Sequence, residues 1–200
     1  MSENSLPVIT ISREYGAGGR TVARGLTEAL GIPYYDNEFI EKTAEKSGYS
    51  AEDVEREGES MTHAGRIMNS ILNSAVSYTS SSDGIFRAQK QVILDLAAGE
   101  PCILVGRCSN IILRAAGVPS FDIFLYAPME KRIVRARELG ECNIADVRKY
   151  ISRRDDTRAT YYKTYTGHDM GDYRDYNICL DTGAIGTEKC VELLVSILGK

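Results

Sequence analysis

The 200-residue chain has little histidine and no tryptophan. Its two histidines, His63 and His168, are far apart and flanked by polar residues. They offer no metal-ligand spacing and no nucleophile–His–Asp arrangement. The five cysteines (Cys102, Cys108, Cys142, Cys179 and Cys190) are scattered, odd in number and never in a C-x-x-C pair. They read as reduced, mostly structural thiols, which excludes a disulfide frame or a zinc site. No stretch approaches the ~18 apolar residues of a membrane span. The segment 1–7 lacks the basic and apolar regions of a signal peptide, so a cytoplasmic location is expected. Basic residues are not in excess: 24 Lys and Arg against 28 Asp and Glu leave a net charge of −4. That balance argues against general nucleic-acid or membrane-surface binding. No internal repeat is present.

What the chain does have is a core and a glycine loop. With 43% hydrophobic and 26% charged residues, it is long enough for one ordinary domain. Val8-Ile9-Thr10-Ile11 reads as a short buried strand, and Thr21 to Leu30 places Val22, Leu26, Ala29 and Leu30 on a helical face. Between them runs Ser12-Arg13-Glu14-Tyr15-Gly16-Ala17-Gly18-Gly19-Arg20. A strand that passes to a helix through glycines gathers backbone N–H groups at the positive end of the helix dipole, which suits a phosphate. Gly19-Arg20-Thr21 matches the end of G-x-x-x-x-G-K-[ST] if Arg20 replaces the lysine, but Glu14 then stands at the first glycine. Gly16-Ala17-Gly18 also suits the start of a dinucleotide fingerprint, with Asp36 at the distance of its ribose-binding acid. A turn that merely packs helix on sheet is the third reading.

Further strands are expected at 33–36, 102–105, 121–126 and 177–181, joining 8–12 in a five-stranded parallel sheet. Helical patterns cover about Glu38–Lys46, Ile85–Ala98, Ser109–Ala115, Met129–Leu139, Ile144–Tyr165 and Thr187–Leu198. Two regions break the alternation. Residues 47–84 are polar and strand-poor and end in the flexible-looking run Ser77 to Gly84, while 139–176 are rich in Arg, Asp and Tyr. Both resemble mobile elements over a ligand site.

Ligands of open α/β sheets gather at the carboxyl ends of strands, which is where Asp36 and Arg107 fall. Arg107 has a planar fork suited to phosphate, and Asp36 can hold a ribose hydroxyl or cap a helix. The densest signal is Arg153-Arg154-Asp155-Asp156-Thr157-Arg158. On a helix Arg154 and Arg158 share a face, and Asp155 and Asp156 can hold them with ion pairs. Phosphoryl transfer needs such clamped cations and excluded water, although a solvated helix face carries the same charge pattern. Arg132 and Arg135 share a face after the fourth strand, and either can approach a nucleotide or simply lie on the surface.

The run Ile9 to Thr21, followed by Gly31-Ile32-Pro33-Tyr34-Tyr35-Asp36, resembles the cytidylate kinase-like proteins, a divergent branch of the P-loop nucleoside monophosphate kinases. Gly106-Arg107, the Arg154–Arg158 cluster and Tyr161-Tyr162-Lys163, Tyr165-Thr166-Gly167 extend the resemblance over nearly the whole chain. It implies a single α/β domain, 1–200, with the three-layer P-loop NTPase fold. That fold has five parallel strands, a helical NMP-binding insert at about 37–84 and an arginine-bearing lid at about 139–170. The implied reaction is transfer of the ATP γ-phosphoryl to CMP or dCMP with Mg²⁺, so the partners are small molecules. By position, Gly16, Ala17, Gly18, Gly19, Arg20 and Thr21 would cradle ATP, with Thr21 reaching Mg²⁺. Asp36, Lys42, Arg107 and Asp155 would hold the acceptor, and Arg20, Arg154 and Arg158 would act in catalysis. Against true cytidylate kinases without gaps, the P-loop lysine falls on Gly19, the Asp-Ser-Gly after the second strand is Asp36-Asn37-Glu38, and Lys42 replaces an arginine. A nucleotide-binding protein without catalysis is the alternative; a dinucleotide-dependent oxidoreductase is a more distant one.

Overall fold

The computed structural model describes residues 6–36, 81–138 and 146–199. The expected insert at 37–84, with its helix Glu38–Lys46 and Lys42, lies outside the described residues except for its last few positions. Five strands, β1 Val8–Arg13, β2 Tyr34–Tyr35, β3 Ile103–Val105, β4 Ser120–Tyr126 and β5 Ile178–Asp181, form one sheet in the order β2-β3-β1-β4-β5. Every pairing is parallel, as the alternation of short apolar runs with helices predicts. β1 is central: Ile9 lies opposite Ile103 on one side and Phe121 on the other.

Alternation along the strands divides the core between two faces. Ile9, Ile11, Ile103, Val105, Ile123 and Leu125 pack against α1 (Gly19–Leu30) and α7 (Thr187–Leu198). Val22, Ala23 and Leu26 form the buried stripe of α1; Cys190, Leu194 and Leu198, four residues apart, form that of α7. On the other face Val8, Cys102 and Leu104 meet α2 (Ser81–Ala97), α3 (Ser109–Ala115) and Tyr161 and Tyr162 of α5 (Val147–Thr166). Burial of each such aliphatic side chain stabilises by about 1.5–3 kcal/mol. α4 (Met129–Glu138) joins α5 around a small separate core of Tyr15, Ala136, Val147 and Ile151.

Helix ends follow local chemistry. α1 stops at Gly31 in the left-handed region, φ 70°, whose N–H donates to the Thr27 carbonyl at 3.0 Å. α5 begins after Asp146, whose carboxylate accepts from the Lys149 N–H at 3.0 Å, so it starts three residues later than the apolar pattern suggests. α2 begins at Ser81, inside the run expected to be flexible, because weak local helix propensity is overridden by packing further along. Beyond α5, buried Asp175 accepts from Arg114 at 2.7 Å and lies 2.8 Å from His168 Nδ1, tying the chain after the helix back to α3. A short α6 (Thr182–Ile185) follows β5. Among the described residues, no helix is long and apolar enough to cross a membrane.

Candidate active site

The glycine loop starts where β1 leaves the sheet. Gly16 and Gly18 both have positive φ, 78° and 81°, a conformation that side chains disfavour. Space is the second reason for glycine. A Cβ on Gly16 would lie 2.9 Å from the Arg132 carbonyl oxygen, and one on Gly18 would lie 2.9 Å from Arg135 Nη1. Gly18 is the N-cap of α1 and offers no side-chain acceptor, so the first-turn N–H groups have no cap from it. That arrangement suits an anion at the helix start.

The loop is held from behind by α4 and α5. Arg132 is buried; it donates to the Tyr15 carbonyl at 3.3 Å, pairs with Asp155, and has Nε 3.4 Å from Glu14 Oε2. The second Asp155 oxygen accepts from the Tyr15 N–H at 2.7 Å. Glu14 Oε2 also accepts from the Ala127 N–H at 3.1 Å. Tyr15 is only 7% exposed. Its ring meets Tyr150 edge-on, and Arg154 and Arg158 lie over it at 5.7 and 5.4 Å from its centre. The helical face shared by Arg154 and Arg158 is therefore turned to the loop, whereas Arg153 is exposed.

In front of the loop is a cavity at the carboxyl ends of β1, β2 and β3. Its wall includes Arg13, Asp36, Arg107, Arg158, Tyr161 and Tyr162. After β3 the chain makes a left-handed turn through Gly106, Arg107 and Cys108, at φ 82°, 56° and 57°. Two successive non-glycine residues in that region carry strain, a feature that clusters at functional sites. Burial pushes the Cys108 thiol up to about 12 against the opposing charge of Arg107, so it is no nucleophile at neutral pH. Burial also holds the Tyr162 phenol far above its ordinary value, and Asn110 donates to its oxygen at 2.8 Å.

On the opposite side of the loop is a groove of about 290 Å³ whose lining includes Gly16, Lys131, Arg135, Gly183, Gly186 and Thr187. Arg135 donates to Thr187 Oγ1 at 3.2 Å there. Arginine thus lines both concavities.

The structure brings Asp36, Arg107 and Arg158 to the cavity, whereas Gly16 lines the groove that holds Arg135. Arg20 reaches the end of β2: its Nε donates to Asp36, which lines the cavity, at 2.6 Å, and its side chain is 60% exposed. Thr21 is exposed on the first turn of α1 and borders a shallow groove against α7. Asp155 binds the loop backbone and Arg132, and Lys42 is outside the described residues. Arg13, Glu14 and Tyr15 were given no role by sequence reasoning. A signal existed for Arg13, which falls on the first glycine of the P-loop pattern once the lysine position is set at Gly19.

Comparison with known proteins gives concordant results. The chain is 27% identical over 175 residues to a protein named cytidylate kinase in Thermoplasma acidophilum, covering 87% of this chain and 82% of that one. Among solved structures, an uncharacterized protein from Eubacterium ventriosum superposes with a TM-score of 0.68 at 21% identity, covering 97% of this chain and 99% of that one. Shikimate kinase from Acinetobacter baumannii superposes with a TM-score of 0.56 at 16% identity, covering 98% and 95%. At these identities the structural likeness is one of fold, here that of P-loop kinases. Residues 8–184 match the family described as cytidylate kinase-like, and the chain belongs to that family.

Proposed function

We propose that the protein transfers the γ-phosphoryl group of ATP to a nucleoside monophosphate, with CMP or dCMP as the acceptor. The observation that carries this reading is the meeting of Arg13, Asp36, Arg107 and Arg158 on one cavity beside the glycine loop. Phosphoryl transfer asks little covalent chemistry of a protein; it asks for positioned cations and excluded water. Family membership and relatives named cytidylate kinase support the acceptor assignment.

In this reading, the N–H groups of Gly16 to Thr21 cradle the ATP phosphates, and the Arg135 groove takes the rest of the nucleotide. Asp36 and Lys42 orient the acceptor, and Arg107 binds its phosphate. Arg154 and Arg158 leave or share their stacking on Tyr15 to clamp the transferring group, and Asp155 keeps their helix on the loop. With glycine at the lysine position the P-loop hydroxyl position falls on Arg20, and Thr21 lies one place beyond it on the groove against α7, so an Mg²⁺ ion would be held mainly by water and phosphate oxygens. When bound, that ion neutralises charge on the β- and γ-phosphates. Gly19 in place of the lysine favours a second reading, nucleotide binding without transfer.

A panel of nucleoside monophosphates and small hydroxyl compounds, each with ATP and Mg²⁺, tests the acceptor. CMP or dCMP should give the highest kcat/KM. A better acceptor from outside the nucleotides would overturn the assignment while leaving phosphoryl transfer intact.

A further inference from the structure

The pattern G-x-x-x-x-G-K puts its first glycine six residues before its lysine. With Gly18 as the second glycine, the lysine position is Gly19 and the first-glycine position is Arg13. A cation is lost at one end of the loop and gained at the other. The fold brings these two positions into contact. A Cβ on Gly19 would lie 2.9 Å from Arg13 Cγ and 3.3 Å from its Cδ. Gly19 does not have a left-handed backbone, so its lack of a side chain answers to space and not to conformation. The Arg13 stem fills the room that a lysine stem at position 19 would need. Its guanidinium then emerges over Gly106, where a Cβ would lie 2.1 Å from Nη1, and enters the cavity shared with Asp36, Arg107 and Arg158.

We propose that Arg13 is the phosphate-bridging cation of this protein, replacing the missing loop lysine by reaching across Gly19 from the end of β1 to the γ-phosphoryl group. The proposal rests on the phosphoryl-transfer reading above. In that step an ionised oxygen of the acceptor phosphate bonds to the γ-phosphorus, and the bond from that phosphorus to the β-bridging oxygen breaks. ADP leaves with the electron pair. Arg13 gives and takes no proton, because a guanidinium stays charged throughout. Its two-pronged donor set touches oxygens on the donor and on the moving group at once, which a single ammonium cannot match in geometry. Its base is a central sheet strand, so the charge stays fixed while the loop admits and releases nucleotide. Gly19 and Gly106 then act as one device, a channel through which the side chain passes.

The test uses Arg13→Ala, Arg13→Gln and the double variant Arg13→Ala/Gly19→Lys, each checked for a cooperative melt. Calorimetric titration measures ATP and ADP affinity without acceptor, and a single-turnover assay measures transfer. The ATP-over-ADP preference should fall about tenfold in Arg13→Ala and Arg13→Gln, with ADP affinity falling less than ATP affinity. The transfer rate should fall by about 10²–10³, the usual effect of losing one preorganised donor. Restoring a lysine at position 19 in the double variant should recover at least tenfold of that rate. Wild-type ATP preference in both single variants, or a double variant no faster than Arg13→Ala, would overturn the proposal while the functional reading stands. A wild-type protein that does not bind ATP would overturn both. If wild type binds ATP without transferring phosphate, the ATP-over-ADP preference alone decides for or against Arg13.

Discussion

Tyr15 carries the guanidinium groups of Arg154 and Arg158 on its ring, and Arg107 lies across the same cavity wall as Arg158. These placements give the arginines different expected kinetics. Arg158 approaches the loop, where charge shifts in the transition state, so Arg158→Ala should lower kcat by about 10²–10³, or about 3–4 kcal/mol. Arg107 follows β3 and is proposed to bind the acceptor phosphate, so Arg107→Ala should chiefly raise the acceptor KM. Steady-state kinetics in both substrates check the division; near-normal kcat and KM in both variants would make the arginines structural. At this scale the sequence exposes residues whose neighbours are local: the glycines, Asp36 at a strand end, and the i, i+4 arginines. It hides residues whose partners come from afar. Tyr15 depends on Asp155, 140 positions away, and Arg13 depends on the space left by Gly106.

Helix α5 is the element that joins loop, cavity and core. Its first half reaches the loop through Asp155, which accepts from the Tyr15 N–H and pairs with Arg132 of α4, and its second half packs Tyr161 and Tyr162 onto the sheet. Removing one partner of a largely buried pair leaves the other charge stranded. Asp155→Ala should therefore destabilise the fold by about 3 kcal/mol, lowering Tm by roughly 6–12 °C for a chain of this size. Differential scanning calorimetry checks this; an unchanged Tm would mean that apolar contacts alone hold α5 on the loop. Most elements were legible because short apolar runs and 3.6-residue patterns are local properties, and α3 and α7 have the expected limits. The departures occur at ends, where Asp146 caps α5 and packing extends α2 back to Ser81. Periodicity carries no information about either event.

For the molecule as a whole, the parallel order β2-β3-β1-β4-β5 places the ends of β1, β2 and β3 around one cavity. A shikimate kinase has the same kind of fold, so the fold alone cannot choose an acceptor. In the proposed reading that choice falls to side chains such as Asp36 and Arg107 and to the expected insert, most of which lies outside the described residues. In the proposed function a chain with glycine at the lysine position still moves phosphate. Its most direct test is a single-turnover experiment, with protein in excess over γ-labelled ATP and with Mg²⁺ and CMP present. The label should appear on CDP in one kinetic phase, at a yield approaching the ATP added. Labelled ATP that binds but passes no label to CMP, to any other nucleoside monophosphate or to a small hydroxyl compound would contradict it, and would leave a nucleotide-binding protein without catalysis.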